Sequence, residues 1–179
     1  MPVAVDLGCG RRPAPGAFGL DAVALPGVRI VARLDAPHLP FLDASLDRVY
    51  ALNVLEHLDD LVGVMGEIAR ALRRGGRCTI EVPYFAGVSA HADPTHRRSF
   101  AYTTFEHFAA PPERGWQANR HTWFGQARFA VAGRHLLFGR AHRVLGIAAL
   151  ANRRPAVYEN LFVYWFPARA LIVELLKVR

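Results

Sequence analysis

Short apolar stretches bounded by glycine, proline and aspartate punctuate the chain as far as Pro83. Val3-Ala4-Val5 runs through Asp6-Leu7 into Gly8-Cys9-Gly10, which predicts a buried strand closed by a tight, glycine-bearing turn. Two prolines within Arg11–Gly16 argue against a helix directly after it. Further strands are predicted over Phe18–Ala22, Val28–Leu34, Leu46–Asn53 and Arg77–Pro83, with clean alternation in Val28–Leu34. Between the last two, Leu61, Val64, Met65, Ile68 and Leu72 recur at helical spacing. They predict an amphipathic helix over Leu58–Arg74, with Asp59 and Asp60 in its first turn and Arg73-Arg74-Gly75-Gly76 closing it. From Tyr84 to Gly125 the periodicity fades, leaving one short helix expected around Tyr102–Phe108. Arg128–Gly139 resumes alternation, as a hairpin or as a strand bulged at Gly133. Helices over Ala141–Ala151 and Val157–Phe166 and a last strand over Ala170–Val178 complete the pattern.

Strongly apolar strands joined by a helical crossover imply an α/β fold with a mostly parallel sheet covered on both faces. In such a sheet ligands sit beyond the carboxyl ends of the strands. A long irregular segment leaving one of those ends is where a lid or substrate pocket is built. Residues 84–125, rich in histidine, aromatic residues, proline and glycine, are therefore expected to form a substrate-covering insertion. The whole of 1–179 is expected to be a single domain, and 52% hydrophobic residues are ample for its core.

Charge changes the picture only in the second half. Through Ala90, nine arginines face ten acidic residues; from His91 onward, thirteen basic residues face five, with six of the eight histidines. Such a bias suits an anionic small molecule, a nucleic acid or an anionic membrane surface. The basic residues are scattered among apolar ones and Lys177 is the sole lysine, which favours an anionic substrate or a solvated face over nucleic acid. The longest apolar stretch, Val157–Leu176, is broken by Glu159, Asn160, Pro167, Arg169 and Glu174 and does not read as a membrane span. Its aromatic, arginine-rich composition leaves a peripheral membrane contact or a homodimer face open. Cys9 and Cys78, both expected in core strands or turns, and an opening without a leader-like pattern suggest a reducing, cytoplasmic setting.

Three acidic residues follow three successive strands: Asp6, Asp21 and Asp35. At carboxyl ends of strands, carboxylates accept hydrogen bonds from ribose hydroxyls or an adenine amino group. For Asp21 a helix cap or a solvated turn is the alternative. Gly8 and Gly10, without a β-carbon, allow a tight turn and close approach of a ligand.

Several elements recur in one order: Asp6-Leu7-Gly8-Cys9-Gly10, Gly19-Leu20-Asp21, Leu34-Asp35 with Leu39-Pro40-Phe41, and Leu46-Asp47-Arg48-Val49-Tyr50 through Val54-Leu55-Glu56-His57-Leu58. Arg73-Arg74-Gly75-Gly76-Arg77, Val82-Pro83 and Asp93-Pro94-Thr95-His96-Arg97-Arg98 follow, and more loosely Tyr158-Glu159 and Phe166-Pro167-Ala168-Arg169. This ordered set resembles the small class I S-adenosylmethionine-dependent methyltransferases with a methyltransferase-11-like domain, over nearly the whole chain. With the strand pattern, the resemblance implies a three-layer, Rossmann-like α/β sandwich whose sheet is mostly parallel, with an antiparallel C-terminal hairpin strand. It also implies S-adenosyl-L-methionine as cofactor. Gly8 and Gly10 would pass beside its methionine part, and Asp6 would fix the amino group or the loop. Asp21 would bind the ribose, Asp35 with Ala36 would meet the adenine, and Asn53 would lie near the sulfonium, with Leu55 and Glu56 just beyond. Arg11 stands where the family commonly has a third glycine.

Methyl transfer from a sulfonium is an in-line displacement that asks mainly for alignment and exclusion of water, with at most one base. The candidates are His57, His91, Asp93 and His96, of which His57, Asp93 and His96 are preferred. His57 reads equally as a helix-start histidine bonded to backbone, and Asp93 and His96 as residues that order the loop around Pro94. No metal is expected, because His91, Asp93 and His96 lack an evident fourth ligand. Arg97 and Arg98 either hold an acidic substrate or face solvent. Tyr84, Phe85, Tyr102, Phe105, Phe108, Trp116, Trp123 and Phe124 either line an apolar acceptor pocket or make core. The expected function is methyl transfer to a small-molecule or sugar-bearing acceptor. A non-catalytic S-adenosylmethionine-binding partner or sensor, or an RNA or protein methyltransferase, are the alternatives.

Overall fold

The computed structural model describes residues 2–110 and 128–178. Its strands are β1 (Ala4–Leu7), β2 (Phe18–Asp21), β3 (Val28–Val31), β4 (Leu46–Leu52), β5 (Leu72–Pro83), β6 (Phe129–Leu137) and β7 (Ala170–Lys177). They form one sheet in the order β3-β2-β1-β4-β5-β7-β6. The first five strands are parallel to one another. β7 runs antiparallel between β5 and β6, as the C-terminal pattern implied.

The chain winds outward from β1 to β3, then returns to place β4 on the other side of β1. That reversal lies between β1 and β4, where connections leaving the two strands diverge and open a crevice at their carboxyl ends. All four residues of β1 are buried, which fits a central strand packed on both faces.

Helices among the described residues lie only in the connections after β4. Among the described residues, the connections β1–β2, β2–β3 and β3–β4 contain no helix. Pro13, Pro15, Pro26 and Pro40 each remove a backbone donor and fix φ, so these short connections cannot propagate one. Leu34 and Leu39 of the β3–β4 loop are buried in the main core instead. That loop is fastened to α1 (Leu61–Ala71) by two side chains. Glu67 accepts from the Leu39 N–H at 2.8 Å, and the Arg70 guanidinium donates to the carbonyls of Leu39 and Phe41.

α1 is also shorter than the predicted Leu58–Arg74. Leu55–His57 takes a 3-10 turn, Leu58 is extended, and Asp60 caps the helix by accepting from the Gly63 N–H at 2.8 Å. At the other end Leu72 is already extended and pairs with Leu46. Arg77 pairs with Arg48, so Arg73–Gly76 loops out of register inside β5 rather than closing the helix. β3 likewise ends at Val31, three residues before its predicted limit.

β6 carries the bulge expected at Gly133, with a register shift between Val131 and Gly133. The two long C-terminal helices of the prediction are broken up. α3 (Arg140–Val144) and α4 (Ile147–Arg153) are separated by Gly146 at φ +74°. α5 (Pro155–Val157) then gives way to a π-helical turn, Tyr158–Phe162. The segment 84–110 adds α2 (Ser89–Ala92) and a 3-10 turn at Thr104–Phe108. No helix among the described residues is long and apolar enough to cross a membrane.

Candidate functional site

The turn after β1 is built on two residues in the left-handed region, Gly8 (φ +66°) and Gly10 (φ +56°). Their reasons differ. A β-carbon on Gly8 would lie 2.3 Å from Val54 Cγ2, whereas one on Gly10 would meet nothing within 4 Å. Gly8 is therefore dictated by packing of the β1 turn against the β4 turn, and Gly10 leaves open space beside the backbone. Asp21, at the end of β2, accepts from the Gly10 N–H at 2.9 Å and from the Val23 N–H at 3.0 Å. It thus ties the two turns together while each oxygen keeps a further lone pair.

Asp6 is 3% exposed. One of its oxygens accepts from the Ala14 N–H at 2.8 Å, so it holds the Arg11–Ala17 loop. The other is buried without a partner, and burial raises the carboxyl's pKa despite the Ala14 hydrogen bond. Asp35 lies in an exposed loop and is paired bidentately with Arg33, at 2.7 and 3.0 Å, which holds its pKa below the ordinary value. Ala36 is half-buried beside it. Asn53 directly follows β4 at φ +52°, a conformation that asparagine tolerates better than most residues. Its N–H donates to the Glu81 carbonyl at 2.7 Å. Leu55, expected close to the cofactor, has its side chain wholly in the core.

A second group gathers where β4 and β5 end. Asn53, Glu56, His57, Pro83, Ser89 and His96 are among the walls of an open cleft of about 540 Å³. The loop that closes it is clamped in place. The Arg97 N–H donates to the Glu56 carbonyl at 2.8 Å, and the Arg97 guanidinium pairs with Asp59 at 2.5 Å. Arg98 donates to the Leu58 and Asp59 carbonyls at 2.7 and 2.6 Å. Both arginines thus have structural partners, which neither a substrate-binding role nor a purely solvated one anticipates.

His57, Asp93 and His96 do come together, through a residue the sequence reading passed over. Thr95 Oγ1 donates to Asp93 Oδ1 at 2.6 Å and sits 2.8 Å from His57 Nδ1. Those Thr95 contacts keep the Asp93 carboxyl below its usual range. With its proton given to Asp93, the Thr95 oxygen accepts from His57 Nδ1–H, leaving the His57 Nε2 lone pair free. His96 Nδ1 lies 3.2 Å from the Ala90 carbonyl, which can only accept, so His96 Nε2 also presents a lone pair. The two rings meet edge to face with centroids 4.7 Å apart. Glu56 stands beside them, 1% exposed, with neither oxygen hydrogen-bonded; burial pushes its pKa up. Glu56 was expected only as a neighbour of the site, and its burial is the feature no local pattern reveals. His91 is apart from this group, donating to the Phe85 carbonyl at 2.9 Å. Of the aromatic residues, Tyr84 and Phe105 are core; Trp116, Trp123 and Phe124 lie outside the described residues.

The strand order, the β1–β4 crevice and the acid-bearing turns around it define a class I methyltransferase fold. An S-adenosylmethionine-dependent methyltransferase from Archaeoglobus fulgidus superposes with a TM-score of 0.64 at 16% identity, covering 98% of this chain and 86% of that one. In sequence, residues 19–80, from β2 into β5, match the methyltransferase domain family. Methyltransferase GfsG of Streptomyces halstedii is 50% identical over 46 residues, 26% of this chain and 16% of that protein. The 27-O-demethylrifamycin SV methyltransferase of Amycolatopsis mediterranei is 44% identical over 63 residues, 33% of this chain and 23% of that enzyme. The chain thus covers under a quarter of the length of these curated relatives. The resemblance read from the residues holds, in fold along the chain and in sequence from β2 to β5.

Proposed function

We propose that this chain binds S-adenosylmethionine across the turns that end β1, β2 and β4, and methylates a hydroxyl of a small molecule held in the neighbouring cleft. The observation that carries this reading is the acceptor-rich crevice at the topological reversal. Open space lies beside Gly10, Asp6 at the end of β1 keeps one unpartnered oxygen, and Asp21 keeps lone pairs for a ribose diol. The residues present therefore fit the cofactor. The name of the rifamycin relative, a methyltransferase of an O-demethyl compound, supports an oxygen acceptor on a small molecule.

When bound, the cofactor supplies an electrophilic methyl group on a sulfonium, open to in-line attack. The chain's own contribution is placement and proton handling. Asn53 and the Gly8–Gly10 turn hold the donor side, and residues 84–110 cover the acceptor side. A hydroxyl entering the cleft meets three proton acceptors, His57 Nε2, His96 Nε2 and Glu56, each able to relieve the oxygen of its proton as the new bond forms. Asp93 acts as a positioning residue, holding the His57 ring through Thr95.

Calorimetry with S-adenosylmethionine and S-adenosylhomocysteine tests the first half of this reading. Transfer of labelled methyl from the donor into a metabolite extract, set against total RNA and protein, tests the second. Saturable binding with label in the low-molecular-weight fraction is the expected result. Failure to bind either nucleoside refutes the assignment, and label confined to RNA or protein refutes the acceptor class.

A further inference from the structure

Glu56, His57 and His96 come from two segments that only the fold unites: the 3-10 turn after β4 and the loop after α2. One ligand-capable atom from each lies within 4.8 Å of the others. All three are acceptors. Thr95 engages His57 Nδ1 and the Ala90 carbonyl engages His96 Nδ1, so Nε2 is the nitrogen each ring has left for a ligand. Glu56 is 99% buried, with two unpartnered oxygens, one of them 3.9 Å from His96 Nε2, too far for a hydrogen bond. Three side chains able to offer lone pairs thus converge, and the Glu56 oxygens find no hydrogen-bond partner among the described residues.

We propose that Glu56, His57 and His96 form a site for a divalent transition-metal ion of the zinc type at the inner end of the cleft. Two imidazole nitrogens and one carboxylate are a catalytic zinc donor set, and they leave coordination positions open for water or a substrate oxygen. Nitrogen donors select against magnesium and calcium, which require oxygen ligands. The outer shell matches as well. Each imidazole gives its other N–H to an oxygen partner, the arrangement that fixes tautomer and ring orientation in metal sites. Metal–ligand bonds of about 2.0–2.2 Å bring donor atoms to roughly 3.4 Å from one another. Binding therefore draws His96 Nε2, now 3.9 Å from Glu56, about half an ångström closer to it. Occupied in this way, the imidazole lone pairs hold the ion, and the ion rather than an imidazole lowers the pKa of a bound hydroxyl.

The test uses tag-free, metal-stripped full-length chain and inorganic ions alone, so it needs neither cofactor nor acceptor. Its failure leaves methyl transfer standing, and failure of methyl transfer leaves it standing. Competition of Zn²⁺ against a chromophoric chelator should show about one tight equivalent per chain, unaffected by a large excess of Mg²⁺. Zn²⁺ should raise the thermal midpoint, as any ligand of the native state does. Glu56→Gln and His96→Gln should abolish both effects, while Thr95→Val weakens affinity by about 10–100-fold, the usual cost of an outer-shell partner. His91→Gln should leave both unchanged. Without zinc, Glu56→Gln should melt no lower than the parent chain, because it removes a buried acid with no partner. The proposal is overturned by absence of a stoichiometric site, by tight binding that survives Glu56→Gln and His96→Gln, or by equal competition from Mg²⁺.

Discussion

The two glycines of the β1 turn share a backbone conformation but differ in surroundings, and alanine at each separates the contributions. Both lie at positive φ, +66° and +56°, where an L side chain costs about 1–2 kcal/mol. At Gly10 that is the whole cost, because a β-carbon there meets nothing within 4 Å. At Gly8 the new carbon would lie 2.3 Å from Val54 Cγ2 and 2.9 Å from Val54 Cβ, and Val54 is only 9% exposed. Forcing a methyl group into packed surroundings adds about 1–3 kcal/mol. Gly8→Ala should therefore destabilise by about 2–5 kcal/mol, against about 1–2 for Gly10→Ala. Val54→Ala alone removes two carbons at ~0.8 kcal/mol each, yet it also clears the space that the Gly8 substitution needs. The double variant should then be more stable than the sum of its parts by about 1 kcal/mol or more, a coupling expected only of residues in contact. Urea unfolding followed by far-ultraviolet circular dichroism, with the slope constant across variants, measures all four chains. Equal costs at Gly8 and Gly10, or strict additivity with Val54, would refute the packing origin of Gly8.

Other consequences follow from single contacts. Asp60→Ala deletes the cap on the Gly63 N–H and should lower stability by about 1 kcal/mol, read from the same urea titration. Glu67, held by Arg70, has its pKa lowered from 4.5 to about 2 in the folded chain. Its stabilising contribution is present above pH 4.5 and is lost as pH falls toward 2, so the urea midpoint should drop across that window and Glu67→Gln should flatten the drop. Asp21→Asn sets an amide donor against one of the N–H groups of Gly10 or Val23. The affinity for S-adenosylhomocysteine should fall at least about tenfold, one lost charge-assisted hydrogen bond being worth roughly 1.5–3 kcal/mol; an unchanged calorimetric Kd would take Asp21 out of the site.

Strands were legible in this sequence because their signal is local. β1, β4 and β7 lie within one or two residues of the apolar runs that announce them, and even the bulge at Gly133 shows as an interruption in alternation. The helical layer was less legible because its limits are set by partners distant in sequence. Arg73 and Arg74 read as a basic helix end, yet pairing of Leu72 with Leu46 commits the chain to the sheet two residues earlier. Arg73 finds its counter-ion in Asp47, across that same pairing. The three connections without helices are announced by their prolines. What replaces a helix there, the β3–β4 loop pinned by Glu67 and Arg70, depends on contacts about thirty residues apart.

The candidate site divides along the same physical line. Asp6, Gly10 and Asp21 belong to consecutive strand ends of a parallel sheet, where topology alone makes sequence order equal spatial order. Their mutual contact, the Gly10 N–H on Asp21, is implicit in a glycine turn followed by an acid at the next strand's end. His57 and His96 are thirty-nine positions apart, and no periodicity connects them. They meet because Arg97 and Arg98 fasten the later loop to the Glu56, Leu58 and Asp59 carbonyls, a clamp whose arginines read from sequence either as substrate ligands or as solvent-facing charges. Cutting that clamp separates the two parts of the site. Arg98→Ala should release the loop, lower zinc affinity and slow methyl transfer, and leave the calorimetric affinity for S-adenosylhomocysteine within about twofold, because the β1, β2 and β4 turns keep their own contacts. A parallel loss of nucleoside binding would mean that the loop carries the donor site as well, and the separation drawn between the two halves of the crevice would be wrong.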